Sequence, residues 1–242
     1  MTNSNSSSKV PPCFLLAAGR GERMRPLTDE LPKPLLQVQG KSLLSWHLES
    51  LSRAGIQQVV INHAWLGQKI ERALGDGSQF SLHIQYSPET NALETAGGIR
   101  KALPFLHPDD YFLVINGDVF CPGFPILQLL MRLSSLRSTH NQTLAHLVMV
   151  PNPTQHPDGD FYLNGLNLGT KDSIGAEKLT FSGIGLYHRD LFKNLEINTP
   201  AKLAPLLREA MKENRVSGEK YIGPWHDVGT PQRLQELNAA YE

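Results

Sequence analysis

The 242-residue chain has little cysteine, no excess of charge and no long apolar run. Its two cysteines, Cys13 and Cys121, form no close pair, which excludes a thiol redox motif and a zinc knuckle and favours a reducing, cytoplasmic compartment. Lys and Arg total 23, as do Asp and Glu, so no general binder of nucleic acid or anionic membranes is indicated. No apolar run approaches the roughly 18 residues needed to span a bilayer. Any anion site must therefore be local.

Two families of catalytic motif are also missing. The nine histidines show no His-Glu-x-x-His spacing, so the zinc site of that motif is not indicated. Ser182, in the stretch FSGIG, lacks the preceding glycine of a nucleophile elbow, which leaves a hydrolase triad with little support.

The sequence that is present alternates short apolar runs with helical patterns. Strands are predicted at 13–17, 59–62, 82–86, 111–116, 144–150 and 178–187. Helices are predicted at 42–54, 66–74, 95–102, 124–136, 200–214 and 231–240. Continuous apolar runs such as VVIN and YFLVIN are typical of strands covered on both faces. We therefore expect an α/β, Rossmann-like fold with a mostly parallel twisted sheet and helices on both faces.

The domain organisation is predicted from composition. The polar, serine-rich residues 1–12 lack the apolar core of a signal peptide and are expected to form a disordered extension. Residues 13–242 are expected to form one domain with a substrate-side lobe around 151–225. Within that lobe, residues 151–175 are rich in Pro, Asn, Asp and Gly, which favours loops or a short hairpin.

A glycine- and arginine-rich segment, LLAAGRGERMRPLTDELPKPLL, follows the first predicted strand. The carboxyl edge of such a sheet is where α/β folds bind ligands. Gly19 and Gly21 allow close approach to the backbone, Arg25 offers a planar cationic fork, and Lys33 offers a point charge between two prolines. The segment lacks the third glycine of a dinucleotide fingerprint and the Gly-Lys-Ser/Thr of a Walker A loop. It predicts a polyphosphate site; the alternative is an exposed loop decorated with arginines.

Two aspartates are candidate metal ligands. Asn116, Gly117 and Asp118 end the buried run YFLVINGDV, and Asp227 lies in PWHDVGT before the last helix. Magnesium prefers carboxylate and phosphate oxygens, so two aspartates and a nucleotide would suffice. Each aspartate taken alone could equally be a turn or N-cap residue.

These motifs resemble a known family. The pattern Leu-Ala-Ala-Gly-x-Gly-x-Arg-Met-Arg-Pro-Leu-Thr, followed by Pro-Lys-Pro-Leu, is similar to the signature of sugar-phosphate nucleotidyltransferases. Further stretches, among them INHAWLG, NGDVF and VSGEKYIGPWHDVGT, resemble a branch of that family that acts on N-acetylmuramic acid 1-phosphate in cell-wall recycling. The resemblance implies a nucleotide-diphospho-sugar transferase fold, with UTP and a sugar 1-phosphate as partners.

The resemblance also implies roles for particular residues. Arg25 is expected to neutralise the departing pyrophosphate, Lys33 to bridge the reacting phosphates, and Asp118 and Asp227 to hold Mg²⁺. The nucleotide is expected to contact Ala17, Ala18, Gly19, Gly21, Glu22, Arg23, Lys33, Glu89, Gly97, Gly98 and Asn116.

The sugar side is less defined than the nucleotide side. Relatives grip the sugar with a glutamate after the middle of the chain, and here the corresponding region is NLGTKDSIGAEKL. Asp172 or Glu177 is expected to substitute for it, and the backbone of Gly159 to contact the sugar. Glucose or mannose 1-phosphate remains an alternative substrate. A non-catalytic nucleotide-sugar sensor is another, although it would be expected to lack some of the phosphate and metal groups.

Overall fold

The computed structural model describes residues 10–107, 110–138 and 142–241. The strands within these ranges are β1 (Cys13–Leu16), β2 (Gln37–Val38), β3 (Lys41–Ser42), β4 (Gln58–His63), β5 (His83–Pro88), β6 (Tyr111–Asn116), β7 (Val119–Phe120), β8 (Ala145–Val150), β9 (Phe161–Asn164), β10 (Asn167–Gly169), β11 (Glu177–His188), β12 (Val216–Lys220) and β13 (His226–Asp227). The α-helices are α1 (Leu27–Glu30), α2 (Leu43–Arg53), α3 (Gly67–Leu74), α4 (Glu94–Leu106), α5 (Ile126–Met131), α6 (Leu133–Ser138), α7 (Leu203–Lys212) and α8 (Pro231–Ala240).

The central sheet is mixed. Its strand order is β5-β4-β1-β6-β11-β8-β12-β10-β9, and two further strand pairs, β2–β3 and β7–β13, lie outside it. The half from β5 to β6 is parallel, as the βαβ pattern predicts. Beyond β6 the pairings are antiparallel except for β8 with β12. The α/β class is confirmed, and parallel pairing is confined mainly to the amino-terminal half, because β11 returns between β6 and β8.

Helices cover both faces of the parallel half. Leu15 of β1 belongs to a core cluster that includes Leu44 and Leu48 of α2, whereas Phe14 belongs to the opposite cluster with Ile99 of α4. Because successive strand residues point to opposite faces, a strand covered on both sides must be apolar throughout. Burial on both faces therefore explains why the sequence of β1 is continuously apolar.

Helix α2 shows how local sequence sets the helix ends. The Ser42 hydroxyl accepts a hydrogen bond from the Ser45 amide at 3.1 Å, which caps the first turn. Gly55 follows the helix at φ +81°, a conformation that glycine adopts without a Cβ clash. Leu44, Leu48 and Leu51 form the buried stripe between these ends.

The second half of the chain contains elements that the sequence analysis does not predict. Residues 151–175 include the short hairpin β9–β10, one of the two structures anticipated there. Strand β12 is missing from the predicted strands, because the sequence VSGEK has no apolar run or strict alternation to mark it. The predicted helix 124–136 is two shorter helices, and the Arg132 amide between them bonds the Leu129 carbonyl.

The predicted disordered extension, residues 1–12, is described by the structure only from residue 10 onward. Residues 1–9 lie outside the described residues. Pro11 is buried and the Pro12 carbonyl accepts a hydrogen bond from the Leu113 amide, so the expectation of disorder does not hold for these two residues. In the described part of the chain, no helix combines the length and apolarity needed to cross a membrane.

His47 of α2 is a buried titratable group beneath β7. Its side chain is almost fully enclosed, and its Nε2 atom has no hydrogen-bond partner among the described residues. Burial lowers the pKa of His47 from 6.5 to about 4, while a hydrogen bond with the Val119 backbone and the charge of Asp118 act in the opposite direction. The imidazole is therefore neutral in the folded protein at neutral pH.

This neutral histidine predicts a pH-dependent stability. Between the folded pKa of about 4 and the unfolded value of 6.5, the unfolded state binds more protons, so the free energy of unfolding decreases as pH falls through this range. Lowering the pH from 7.5 to 5.0 should remove about 2 kcal/mol through His47. His47→Gln should lose less stability than the wild type by that amount, as measured by urea denaturation at both pH values. Equal losses in the two proteins would contradict the prediction.

Candidate active site

The site lies where three neighbouring strands end at one level. Leu16, the last residue of β1, is in register with Asn62 of β4 on one side and Asn116 of β6 on the other. A cavity of about 350 Å³ opens at this edge. It is lined by Leu16, Ala17, Ala18, Gly19, Lys33, Pro34, Asn62, Glu89, Ala92, Leu93, Glu94, Thr95, Asn116 and Asp118. The cavity therefore occupies the position where α/β sheets bind ligands.

The turn after β6 carries Asp118 to the cavity. The Gly117 amide donates to the Leu16 carbonyl at 2.8 Å, which joins this turn to the end of β1. A Cβ at position 117 would lie 2.7 Å from that carbonyl oxygen, so the close approach requires glycine. Asn116 and Asp118 on either side of the glycine both line the cavity.

Lys33 and Asp118 form an ion pair at the cavity wall. The Lys33 Nζ atom donates to Asp118 Oδ2 at 2.5 Å, and the lysine side chain is 10% exposed whereas that of the aspartate is 32% exposed. Lys33 begins a short 3₁₀ turn between Pro32 and Pro34, all three of which are buried. The prolines restrict the backbone here, so the ammonium group is held at a defined position beside the cavity.

A buried hydrogen-bonded chain supports the opposite wall. Asn62 Oδ1 accepts from the Ala17 amide at 2.7 Å, and its Nδ2 atom donates to Glu89 Oε1 at 2.7 Å. Glu89 Oε2 in turn accepts from the Leu93 amide at 3.1 Å. Glu89 is 7% exposed, so this carboxylate connects the loop after β1 with the loop before α4. Its geometry indicates a supporting role in addition to any contact with a nucleotide.

The glycine- and arginine-rich segment is held in place by a tryptophan from outside the motif. The Arg20 guanidinium carbon lies 3.4 Å from the ring centroid of Trp65, and the indole N–H donates to the Thr28 carbonyl at 2.9 Å. The Thr28 hydroxyl donates to the Gly21 carbonyl at 2.8 Å. Gly21 itself has φ +70°, and a Cβ there would lie 3.0 Å from Thr28 and 3.1 Å from Lys33. Arg20 and Trp65 therefore act as a clamp on this loop.

The structure does not bring every predicted phosphate ligand to the cavity. Arg25 does not line it; its exposed side chain pairs with Glu22 at 3.4 Å and Asp29 at 3.2 Å. Glu22 and Arg23 are also exposed and outside the cavity lining, and the half-buried Gly21 does not line the cavity either. The reason is the 3₁₀ turn at 22–24, which buries Met24 and directs the charged side chains around it outward.

Two predicted nucleotide contacts, Gly97 and Gly98, are tightly packed in α4. A Cβ at Gly97 would lie 2.5 Å from the Thr199 carbonyl oxygen, and one at Gly98 would lie 2.8 Å from Glu89 Oε1. Both glycines are buried and neither lines the cavity. They let α4 approach the Asn62–Glu89 hydrogen bond and the segment before α7.

Asp227 reaches the same turn through the strand pair β7–β13. Asp227 is in register with Val119, and the Val228 amide donates to the Asp118 carbonyl at 3.1 Å. The Asp227 carboxylate is not part of the cavity lining; its Oδ2 atom accepts from Arg233 Nη1 at 2.8 Å. The pairing of β7 with β13 thus places the backbones of the two aspartates close together. Among the described residues, no group of three or more His, Cys, Asp or Glu side chains is arranged to hold a metal.

The sugar-side candidates lie next to the β9–β10 hairpin and at the start of β11. Gly159 has φ +58° and packs against Asn152, whose side chain bonds the Lys178 carbonyl and the Thr180 hydroxyl at the start of β11. Asp172 is exposed and has no hydrogen bond among the described residues, whereas both Glu177 carboxylate oxygens accept from Lys220 at 2.7 and 2.8 Å. None of these residues lines the cavity. The contacts of Gly159 and of Asp172 or Glu177 with a sugar stay predictions.

Sequence reasoning missed Asn62 and the loop that contributes Ala92, Leu93, Glu94 and Thr95 to the cavity. A signal for Asn62 is present, since the apolar runs VVIN and YFLVIN both end in Ile-Asn and both asparagines flank Leu16. The loop before α4 has a signal as well, since Leu93, Glu94 and Thr95 begin the stretch LETAGGI, which resembles the same family.

Comparisons with known proteins agree with this geometry. The model of the nucleotidyl transferase family matches residues 13–157. The chain belongs to this family. It is 51% identical over 227 residues to the N-acetylmuramate alpha-1-phosphate uridylyltransferase of Neisseria meningitidis, a match that covers 93% of this chain and 96% of the relative.

More distant members share the fold over most of this chain. The mannose-1-phosphate guanyltransferase of Gibberella zeae is 27% identical over 90% of the chain, which spans only 61% of that relative. The structure of HddC from Yersinia pseudotuberculosis complexed with GMP-PN superimposes with a TM-score of 0.73 at 16% identity, covering 96% of this chain and 100% of that one. At that identity the likeness concerns the fold alone.

The hydrogen-bonded chain through Glu89 predicts a cost for an isosteric change. Both carboxylate oxygens of Glu89 accept hydrogen bonds, so Glu89→Gln must place its amide N–H₂ against the donor of Asn62 or of Leu93. The free energy of unfolding should fall by about 1–3 kcal/mol, as expected for a buried donor without a partner. Urea denaturation measures this, with Glu236→Gln on the exposed face of α8 as the matched control. Equal stability of the two variants would refute the supporting role of Glu89.

Proposed function

We propose that this chain transfers a uridylyl group from UTP to N-acetylmuramic acid 1-phosphate, giving UDP-N-acetylmuramic acid and pyrophosphate. The observation that carries the proposal is the Lys33–Asp118 pair beside a glycine-lined cavity at the carboxyl edge of the sheet. Membership of the nucleotidyl transferase family supports the reaction type. The identity with the Neisseria meningitidis uridylyltransferase supports the choice of base and sugar.

The reaction needs positioning and charge neutralisation more than a covalent nucleophile. A phosphate oxygen of the sugar 1-phosphate attacks the α-phosphorus of UTP in line, and the bond to pyrophosphate breaks. Lys33 would neutralise charge on the reacting phosphates from its restricted position between two prolines. The backbone of Ala17, Ala18 and Gly19 would lie along the nucleotide, and Asn116 beside it. Because Arg25 is paired with Glu22 and Asp29 outside the cavity, Lys33 carries the main cationic role in this proposal.

Asp118 and Asp227 would hold a divalent cation, for which Mg²⁺ is the proposed species. Their side chains fit this role because Asp118 immediately precedes β7, Asp227 lies on the paired strand β13, and both side chains are about one-third exposed. Magnesium keeps several waters and takes further oxygens from phosphates, so a third protein ligand is not required. When bound, the ion would supply charge stabilisation to the phosphate oxygens.

The biological setting is part of the proposal. Product formation from N-acetylmuramic acid 1-phosphate would place the enzyme in peptidoglycan recycling, in the cytoplasm where UTP is available. Mannose 1-phosphate, as the alternative substrate, is supported by the 27% identity to the Gibberella zeae guanyltransferase, and glucose 1-phosphate stays an alternative from the sequence motifs.

Removal of either member of the Lys33–Asp118 pair should reduce turnover in a folded protein. A single electrostatic group aimed at developing charge is commonly worth about 2.7–4 kcal/mol, so Lys33→Met and Asp118→Asn should each lower kcat by on the order of 100-fold or more. Pyrophosphate release measures the rate. Lys41→Met is the matched control, because Lys41 also forms a 2.7 Å ion pair, with Glu49, on a surface away from the cavity lining. Near-normal turnover in both site variants would defeat the proposal.

A substrate panel separates the sugar and base alternatives. Pyrophosphate release should be fastest with UTP and N-acetylmuramic acid 1-phosphate, compared with glucose or mannose 1-phosphate and with dTTP or GTP. Faster release with either hexose phosphate would retain the reaction type and replace the substrate. Binding of nucleotide sugars without release of pyrophosphate from any pair would favour a non-catalytic sensor.

A further inference from the structure

Each of the two candidate metal ligands, Asp118 and Asp227, forms an ion pair with a cationic side chain. Lys33 Nζ contacts Oδ2 of Asp118 at 2.5 Å, and Arg233 Nη1 contacts Oδ2 of Asp227 at 2.8 Å. The Oδ1 atom of each carboxylate makes no hydrogen bond among the described residues. In each of these two ion pairs, a cation therefore holds one carboxylate oxygen and leaves the other available.

Arg233 is held against Asp227 by the start of α8. The Thr230 hydroxyl accepts a hydrogen bond from the Arg233 amide at 3.3 Å and caps the helix. The arginine Nη1 atom also lies 3.4 Å from the Asp227 carbonyl oxygen, so the guanidinium contacts both the backbone and the side chain of one residue. This double contact restricts the rotation of the Asp227 carboxylate.

Gly229 makes room for this contact. A Cβ at position 229 would lie 2.9 Å from Arg233 Nη1 and 3.1 Å from Asp227 Oδ2, too close to both. The Arg233–Asp227 ion pair therefore packs against the Cα atom of Gly229.

Stability alone does not account for the pair. The side chains of Arg233 and Asp227 are 26% and 30% exposed, and ion pairs with this access to water contribute about 0–1 kcal/mol. The consequence of the contact is instead the fixed direction of the free oxygen. Groups that orient a metal-binding carboxylate commonly change metal affinity by about 10–100-fold when removed.

We propose that Arg233 is a positioning residue, which holds Asp227 Oδ2 so that Asp227 Oδ1 is directed to a divalent cation shared with Asp118. The inference rests on the proposed metal site and extends it to a residue that the sequence motifs do not single out. It differs from a structural role in one measurable respect, because Arg233 would affect the metal-dependent part of nucleotide binding and leave the metal-independent part unchanged.

The test measures UTP binding without sugar phosphate, so that no turnover occurs. The dissociation constant for UTP is determined by calorimetry in EDTA and in Mn²⁺, and the ratio of the two values is the metal-dependent gain. Arg233→Met should reduce this gain about tenfold or more, with the value in EDTA unchanged within about twofold. Arg233→Lys, which keeps the charge without the planar fork, should give an intermediate gain.

The control variant removes an ion pair that lies outside the site. Lys212→Met removes a 2.7 Å ion pair with Glu209 on α7 and should keep the wild-type gain. An undiminished or larger gain in Arg233→Met would overturn the inference, the larger gain indicating that the arginine competes with the cation. If the wild-type protein binds UTP equally well in EDTA and in Mn²⁺, this result would overturn the metal site together with the inference. Normal metal dependence without formation of UDP-N-acetylmuramic acid would reject the proposed function alone.

Discussion

The position of β1 between β4 and β6 is the constraint on which the site depends. Because the three strands are parallel and in register, the loops after all of them leave the sheet at one edge. The loop after β1 brings the glycine- and arginine-rich segment, the turn after β6 brings Asp118, and Asn62 at the end of β4 joins the two loops through the Ala17 amide. Because the strands are parallel and in register, segments that are separate in the sequence line one cavity together.

Three cationic groups in and around the site are paired with carboxylates of the same chain. Lys33 and Arg233 each hold one carboxylate, and the Arg25 guanidinium is occupied by Glu22 and Asp29. In a chain with equal numbers of acidic and basic residues, a local cationic site can exist without a basic surface. A triphosphate with its divalent ion brings both signs of charge, so it can interact with the cations and with the carboxylates.

The rigidity around the cavity comes from contacts made by residues outside the glycine- and arginine-rich segment. Trp65 stacks on Arg20 and bonds Thr28, while Glu89 connects Asn62 with Leu93. Each contact joins segments that are far apart in the chain. Such long-range support determines which of the motif residues face the cavity and which face solvent.

Sequence patterns were sufficient for the parallel half of the fold and for the residues nearest the strands. Buried parallel strands require continuous apolar runs, and these marked β1, β4 and β6 within about one residue of the observed ends. Lys33, Asp118, Asn116 and Glu89 line the cavity as expected. Strand β12 was missed, because a short strand with two glycine-flanking polar residues carries no periodic signal.

By itself, the amino-acid sequence determined the α/β class, the family and the main cationic and acidic groups, because these depend on local periodicity and on residue types at fixed spacing. The tertiary structure decided that Arg25, Glu22 and Arg23 lie outside the cavity, that Gly97 and Gly98 lie against Thr199 and Glu89, and that Asp227 pairs with Arg233. A motif specifies which side chains are present. The direction of each side chain depends on non-local partners such as Trp65, Thr28 and Arg233, whose contacts form only when distant segments pack together.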